Sequence, residues 1–299
     1  MSITLTQLRS FVAVVRAGSV TAAASELIVT QPSVSAAVAG LARELGTPLL
    51  ERDGRGVRTT PAGEVFAPFA SDVIGLLDKG ARAAKEAATT GRGLRIAAVT
   101  TAAESFVPSL MHAFSSDRDD VQLTLQGGNR DQVVDMVLDH EADVAFTGRP
   151  PRGDRIEAFS LWPNDLVLIT APGDPLAGRD GLLPGDLGDR HWLLREPGSG
   201  TRAVNEGFLA AAGLDVPTLT VGSNGAVKQA VRAGLGVSFV SSDTVAAEIE
   251  ADLLDVIEVE PAPTSRVWHV MRSRVGPPRP VVTEFLTFVR EAAASDHAP

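Results

Sequence analysis

The chain has 299 residues, 44% hydrophobic and 21% charged, and carries a formal charge of −10. Its length and apolar content suit about two globular domains with buried cores and exclude a generally disordered chain. It has no cysteine, which excludes disulfides, thiolate metal sites and cysteine nucleophiles.

No apolar run reaches the ~18 residues of a transmembrane helix. The opening MSITLTQLRS shows no basic flank before an apolar stretch. A cytoplasmic protein without a membrane partner is therefore expected. The five histidines are scattered without metal-ligand spacing, so neither a metal nor a cofactor is expected. Charge is unevenly distributed. Residues 1–63 hold six arginines against four acids, while the segment after residue 90 holds 18 bases against 29 acids. Any polyanion therefore belongs at the N-terminal end.

In chain order, Leu5, Leu8, Phe11, Val12 and Val15 predict a helix over 4–17, stopped by Gly18. A second short helix opens at Ser19 or Val20 and runs through Leu27. A third opens at Thr30-Gln31-Pro32, buries Val34, Val38, Leu41 and Leu45, and ends at Gly46. Asp53-Gly54 predicts a hairpin turn in a β-wing over 47–60. Residues 61–89 read as one long helix with an apolar stripe of Ala62, Val65, Phe66, Phe69, Val73, Leu76, Leu77, Gly80 and Ala84. With no domain visible around that stripe, it predicts pairing with a second copy, the alternative being a helix packed on its own domain.

Gly91-Arg92-Gly93 reads as a linker. Beyond it, short apolar strands are predicted at 94–99, 121–125, 143–146, 166–170, 192–194, 219–221, 237–240 and 267–271. Helices are predicted near 103–115, 130–139, 201–212, 225–234 and 280–294. This alternation predicts an α/β fold on a largely parallel sheet, large enough for two lobes and a cleft. Trp162, Trp192 and Trp268 are expected in the core or near the surface between the lobes.

Short helices joined by a turn, with polar residues opening the last, follow the logic of a helix-turn-helix. Thr30, Gln31, Ser33 and Ser35 would face the major groove, where Gln reads adenine edges and Ser bonds bases or phosphates. Arg52, Arg55 and Arg58 on the wing would neutralise flanking phosphates.

These residues resemble the LysR-type transcriptional regulators. The matching string is Leu8, Phe11, Val15, Gly18-Ser19, Ala22-Ala23, Leu27, Thr30-Gln31-Pro32-Ser33-Val34-Ser35, Leu41, Glu44-Leu45-Gly46, Leu49, Arg52 and Thr59-Thr60-Pro61-Ala62-Gly63. One departure is Leu50, where the family usually has Phe; only packing is affected. The resemblance implies an all-α winged helix-turn-helix over 1–60 and a dimerising linker helix over 61–90. It also implies a two-lobed α/β effector domain like a periplasmic binding protein over 91–299. Lobe 1 would hold about 91–163 and 268–299, and lobe 2 about 164–267. A homodimer or homotetramer on operator DNA is implied, with RNA polymerase as a further partner and ligand binding changing the DNA bend.

Within the C-terminal part, four strings look like the Calvin-cycle operon (CbbR-type) regulators. They are Gly127-Gly128-Asn129-Arg130, Gly148-Arg149-Pro150-Pro151, Leu194-Arg195-Glu196-Pro197-Gly198-Ser199-Gly200-Thr201-Arg202, and Gly222-Ser223-Asn224 with Lys228-Gln229-Ala230-Val231. The resemblance implies an effector that is a small phosphorylated metabolite and a role in carbon metabolism. Relatives sharing the Gly-Ser-Gly-Thr-Arg string respond to other small anions, so sulfite or a carboxylate stays open.

The residues themselves point to an anion. Thr100-Thr101, Gly198-Ser199-Gly200-Thr201 and Ser223-Asn224 each follow a strand and open a predicted helix; the first opens the one holding Phe106. Helix N-termini offer unpaired N–H groups to anions. Arg195, Arg202 and Arg149 would add charge-assisted bonds. The candidate effector residues are thus Thr100, Thr101, Asn129, Arg149, Arg195, Ser199, Thr201, Arg202 and Asn224. Taken singly, each cap is an ordinary stabiliser of about 1 kcal/mol. An α/β enzyme or a solute-binding protein are the alternatives. No Gly-x-Ser-x-Gly elbow, Walker string or Gly-x-Gly-x-x-Gly is present, and there is no tyrosine.

Overall fold

A computed structural model describes residues 2–54, 56–89 and 91–295. Arg55 and His297 therefore lie outside the described residues. The chain divides into two compact units, Met1–Thr89 with Leu138–Glu141 and Val275–Pro277, and Thr90–Val137 with Ala142–Arg274 and Pro278–Pro299.

The first unit opens with three helices, α1 (Leu5–Ala17), α2 (Val20–Glu26) and α3 (Gln31–Leu45). Thr4 and Gln7 form a capping box on α1, which Gly18 ends in the left-handed region. Ser19 then caps α2, so one Gly-Ser pair stops one helix and starts the next. Thr30 caps α3 and Pro32 occupies its first turn. Phe11, Leu41 and Leu49 fill one core; Ala13, Val14, Ala23 and Val34 fill its neighbour. The wing is an antiparallel hairpin of β1 (Leu50–Asp53) and β2 (Gly56–Thr59), in register from Leu50–Thr59 to Asp53–Gly56.

The long helix α4 spans Pro61–Ala87, roughly 40 Å at 1.5 Å per residue. Its stripe divides into two faces. Ala62, Phe66 and Ala70 pack into the α1–α3 core, with the Phe66 ring 5.8 Å from Phe11. Val65 and Phe69 are 68% and 64% exposed, and Val73, Leu76 and Leu77 extend that exposed face. The expectation that no domain surrounds the stripe thus holds for only one side of it.

The second unit carries two lobes. In the first lobe a five-stranded sheet has the order β4 (Val121–Gly128), β3 (Arg92–Val99), β5 (Val144–Thr147), β12 (Arg266–Ser273) and β6 (Ile156–Asn164). β3 is parallel to β4 and β5, whereas β12 is antiparallel to β5 and β6. The sheet is therefore mixed, not largely parallel. The cause is the chain path: β12 arrives from the second lobe and inserts between β5 and β6. Helices α6 (Val107–Ser115) and α11 (Pro280–Ala294) cover it through Leu110, Phe114, Val281 and Phe285. Helix α7 (Arg130–Leu138) buries Val133, Val134 and Val137.

The second lobe pairs β7 (Leu166–Thr170) antiparallel with β10 (Ser238–Ser241) and β11 (Asp255–Ile257), and β8 (Trp192–Leu194) parallel with β9 (Thr218–Thr220). Helices α8 (Gly200–Ala212), α9 (Asn224–Arg232) and α10 (Ala246–Glu250) flank them. Trp192 and Trp268 are fully buried, as expected, and Trp162 packs edge-on against Phe106.

Two expectations fail locally. The helix opened by Thr100 ends at Glu104 as α5 (Thr100–Glu104), so it does not hold Phe106. Pro108, near the start of α6, has no N–H to bond Glu104 and its ring would crowd that carbonyl, so the run breaks at Ser105. Strands β6 and β11 were not expected. β6 carries Pro163, which reads as a strand breaker but is tolerated on this edge strand.

Candidate functional site

In the first unit the opening turn of α3 and the wing present the polar groups. Thr30, Gln31 and Ser33 are exposed and Ser35 is half-buried. Thr30 Oγ1 accepts from the Ser33 amide and lies 2.8 Å from Ser33 Oγ, while Gln31 Nε2 donates to Ser35 Oγ at 3.2 Å. This preorganises four side chains on one exposed end. Arg58 pairs with Glu51 at 2.7 Å across the wing. Arg52 is exposed and has no ion pair among the described residues. Gly63 lets α4 pass against the Leu49 backbone just before β1: a Cβ there would collide with the Leu49 carbonyl oxygen.

In the second unit the two lobes enclose a cavity of about 820 Å³, within the usual range for small-molecule sites. Thr100, Thr101, Asn129, Arg149, Arg195, Ser199, Thr201 and Arg202 all line it. Asn224 does not line it but braces the wall. Its amide donates to Thr101 Oγ1 at 3.1 Å and to Glu104 Oε2 at 3.3 Å, and its oxygen accepts from Arg195.

Arg195 is buried and fully engaged. Nε and Nη2 donate to Glu196 at 2.8 and 2.9 Å, and Nη1 goes to Asn224. Arg202 donates to Glu206, to the Arg195 carbonyl and to Thr220. Both are struts more than free anion readers. Thr100 and Thr101 open only a five-residue helix without a side-chain cap. Thr100 Oγ1 donates to the Gly128 carbonyl. By contrast Ser199 caps α8 by accepting from the Arg202 amide, and Ser199, Gly200 and Thr201 at that helix start line the cavity. Gly198 is left-handed (φ +83), and a Cβ there would stand 3.1 Å from both Asn129 Nδ2 and Asp131 Oδ2.

The free positive charge lies elsewhere. Arg130, Arg149, Arg152 and Arg266 line the same cavity. Arg130 pairs with Asp131 at 3.1 Å. Arg149, Arg152 and Arg266 have no carboxylate within ion-pair distance among the described residues. Burial, then the charges of Arg149 and Arg130, push Arg266 below its ordinary pKa. Such a like-charge cluster is what a bound anion would relieve.

Known proteins can now be set beside this geometry. Residues 5–64 match the bacterial regulatory helix-turn-helix protein, lysR family, and residues 87–294 match the LysR substrate binding domain. The chain belongs to the LysR family. It is 35% identical over 298 residues to a protein named RuBisCO operon transcriptional regulator from Allochromatium vinosum, covering 99% of both. Its fold matches the Synechocystis PCC6803 CcmR regulatory domain in complex with 2-PG, with a TM-score of 0.65 and 28% identity over 69% of this chain and 99% of that one. It also matches full-length CbnR complexed with its target DNA, at TM-score 0.55 and 26% identity over 97% of this chain and 99% of that one.

As a LysR-family member the chain is a DNA-binding transcriptional regulator with a small-molecule effector domain, and not an enzyme of the kind weighed above. Sequence reasoning named Arg149 and Asn129 but left Arg130, Arg152 and Arg266 out of the site. Arg130 stood in a quoted motif. Arg266 gave no signal, because only the folded path carries residue 266 back beside residues 130 and 149.

Proposed function

We propose that this regulator senses a small phosphorylated anion in the cavity between its lobes and controls carbon-metabolism genes. The carrying observation is the guanidinium cluster of Arg149, Arg152 and Arg266, which lacks carboxylate partners among the described residues. Guanidinium forks bind phosphate bidentately and stay charged at any physiological pH. Ser199, Thr201 and the first amides of α8 add neutral donors. The similarity to a domain solved with 2-PG, and to a RuBisCO operon regulator, favours this ligand class.

At the other end, Thr30, Gln31, Ser33 and Ser35 read operator bases while Arg52, Arg55 and Arg58 hold phosphates. The linker helix α4 joins two copies through its exposed face of Val65, Phe69, Val73 and Leu77. A homodimer or homotetramer then engages spaced half-sites, in the cytoplasm, with RNA polymerase as the downstream partner.

Calorimetric titration of the full-length protein with 2-phosphoglycolate, ribulose bisphosphate, sulfite and sulfate tests the sensor. A phosphate ester is expected to bind and to raise thermal stability, by about 2.7 kcal/mol at a hundredfold excess over Kd. Arg149→Ala with Arg152→Ala is expected to weaken that binding at least tenfold. Binding of sulfite or sulfate alone would assign the site to an inorganic anion; no binding by any of them would overturn the reading.

A further inference from the structure

The cavity carries two buried polar atoms that the arginine cluster does not explain. Asn164 and Ser241 are 5% and 4% exposed, and both line the cavity. Asn164 Oδ1 and Ser241 Oγ have no hydrogen-bond partner among the described residues. An unsatisfied buried polar group is costly and is usually paired by protein, water or ligand.

Their location is specific. Asn164 ends β6 in the first lobe and pairs with Arg266 in the β6–β12 register. Ser241 ends β10 in the second lobe and pairs with Leu166, the first residue of β7. Asp165 alone separates those two strands, so the orphaned atoms flank one of the two chain crossings between the lobes. The crossings are laced together, since Ser265 Oγ donates to Asp165 Oδ1 at 2.9 Å. Gly148 keeps the space clear: a Cβ there would stand 3.2 Å from Asn164 Nδ2.

We propose that Asn164 and Ser241 form a subsite at the interlobe crossing that reads a neutral hydroxyl on the effector, distinct from the arginine cluster that takes its phosphate. An amide oxygen needs a donor and repels an anion, so a second phosphate or a carboxylate does not suit Asn164 Oδ1. A hydroxyl donates and accepts at once, and so satisfies both side chains. The subsite selects phosphate esters that carry a hydroxyl over those that lack it. This inference rests on the anion reading of the cavity.

A matched pair of probes differs by one hydroxyl: 3-phosphoglycerate and its 2-deoxy analogue, 3-(phosphonooxy)propionate. Both are titrated into the full-length protein and into Asn164→Leu, Ser241→Ala and Arg149→Ala variants. The hydroxylated probe is expected to bind wild type about three- to tenfold more tightly, the range for one net hydrogen bond. In Asn164→Leu and Ser241→Ala that ratio is expected to fall to about one. Unliganded Asn164→Leu is expected to melt no lower than wild type, because the leucine fills similar volume and leaves no orphaned atom. Arg149→Ala is expected to weaken both probes together.

If both probes bind equally, respond to Arg149→Ala and ignore Asn164→Leu and Ser241→Ala, the hydroxyl subsite is wrong and the anion reading stands. If neither probe binds wild type, the inference falls together with that reading.

Discussion

Arg195 and Arg149 line the same cavity, yet their guanidinium groups meet different surroundings. Glu196 and Asn224 absorb the donors of Arg195, whereas Arg149 has no ion pair among the described residues and its charge helps to push Arg266 below its ordinary pKa. Sequence spacing made Arg195 and Arg202 look like anion readers because they bracket Gly198-Ser199-Gly200-Thr201. What spacing does not carry is the partner: Glu196 is adjacent in sequence, but Asn224 and Thr220 reach the arginines only through the fold. The residues proposed to face DNA cluster for the opposite reason. Thr30, Gln31, Ser33 and Ser35 sit within six residues, so helical geometry alone places them together. Arg52, exposed on the wing, has no ion pair among the described residues. Arg52→Ala is expected to weaken operator and non-operator DNA alike. It is also expected to lower the slope of log affinity against log salt by about one. Fluorescence anisotropy over a salt series reads both; an unchanged slope would take Arg52 off the phosphate backbone.

At the scale of elements, the caps and stops were legible: Gly18-Ser19, Thr30, Gly46, Ser199 and Ser223 all act where their chemistry suggests. The break between α5 and α6 was not, because it takes the geometry of Pro108 to override a helical apolar pattern. Two elements make testable demands. In lobe 1, Asp143 immediately precedes β5, with its carboxylate accepting from the Arg95 amide at 2.9 Å and from Arg279 at 2.7 Å. Burial alone would raise its pKa, but Arg95 and Arg279 outweigh it and hold it below the ordinary 3.8. A depressed carboxylate stabilises the fold above the unfolded value and loses that contribution as pH falls through the folded one. Stability is therefore expected to fall below about pH 4. Asp143→Asn is expected to cost about 3–5 kcal/mol at pH 7 by removing the carboxylate charge that faces the buried Arg279. Urea melts at pH 7 and 3 check both; equal losses at the two pH values would remove Asp143 from the acid transition. The exposed face of α4 makes the second demand. Phe69→Asp puts a charge on that face without touching the packed side, and is expected to shift the assembly toward monomer by at least tenfold in Kd. Sedimentation equilibrium reads this, and an unaltered mass would place the dimer contact elsewhere.

At the scale of the whole molecule, charge and chemistry are segregated along the chain. The helix-turn-helix segment is the basic one, while the acidic remainder gathers Arg130, Arg149, Arg152 and Arg266 along one cavity. Low similarity between the two jobs is why the sequence could be divided near residue 90 on pattern alone. The cavity was harder to see, since its walls come from segments near 100, 130, 150, 165, 200, 241 and 266. Only their general class, helix starts and strand ends of an α/β lobe, was available beforehand.

The pairing of Asn164 with Arg266 has one more implication. β6 and β12 are antiparallel neighbours whose adjoining ends stand side by side, as the two arms of a hairpin do. Everything from Asp165 to Ser265, the entire second lobe, occupies the position where a tight turn would otherwise close that hairpin. The effector part of the regulator is thus one α/β lobe with another inserted as a cassette at a loop. Such a cassette can be exchanged or lost without cutting the strand order of its host. Ligand preference can then diverge in the insert while the lobe that receives it keeps its sheet.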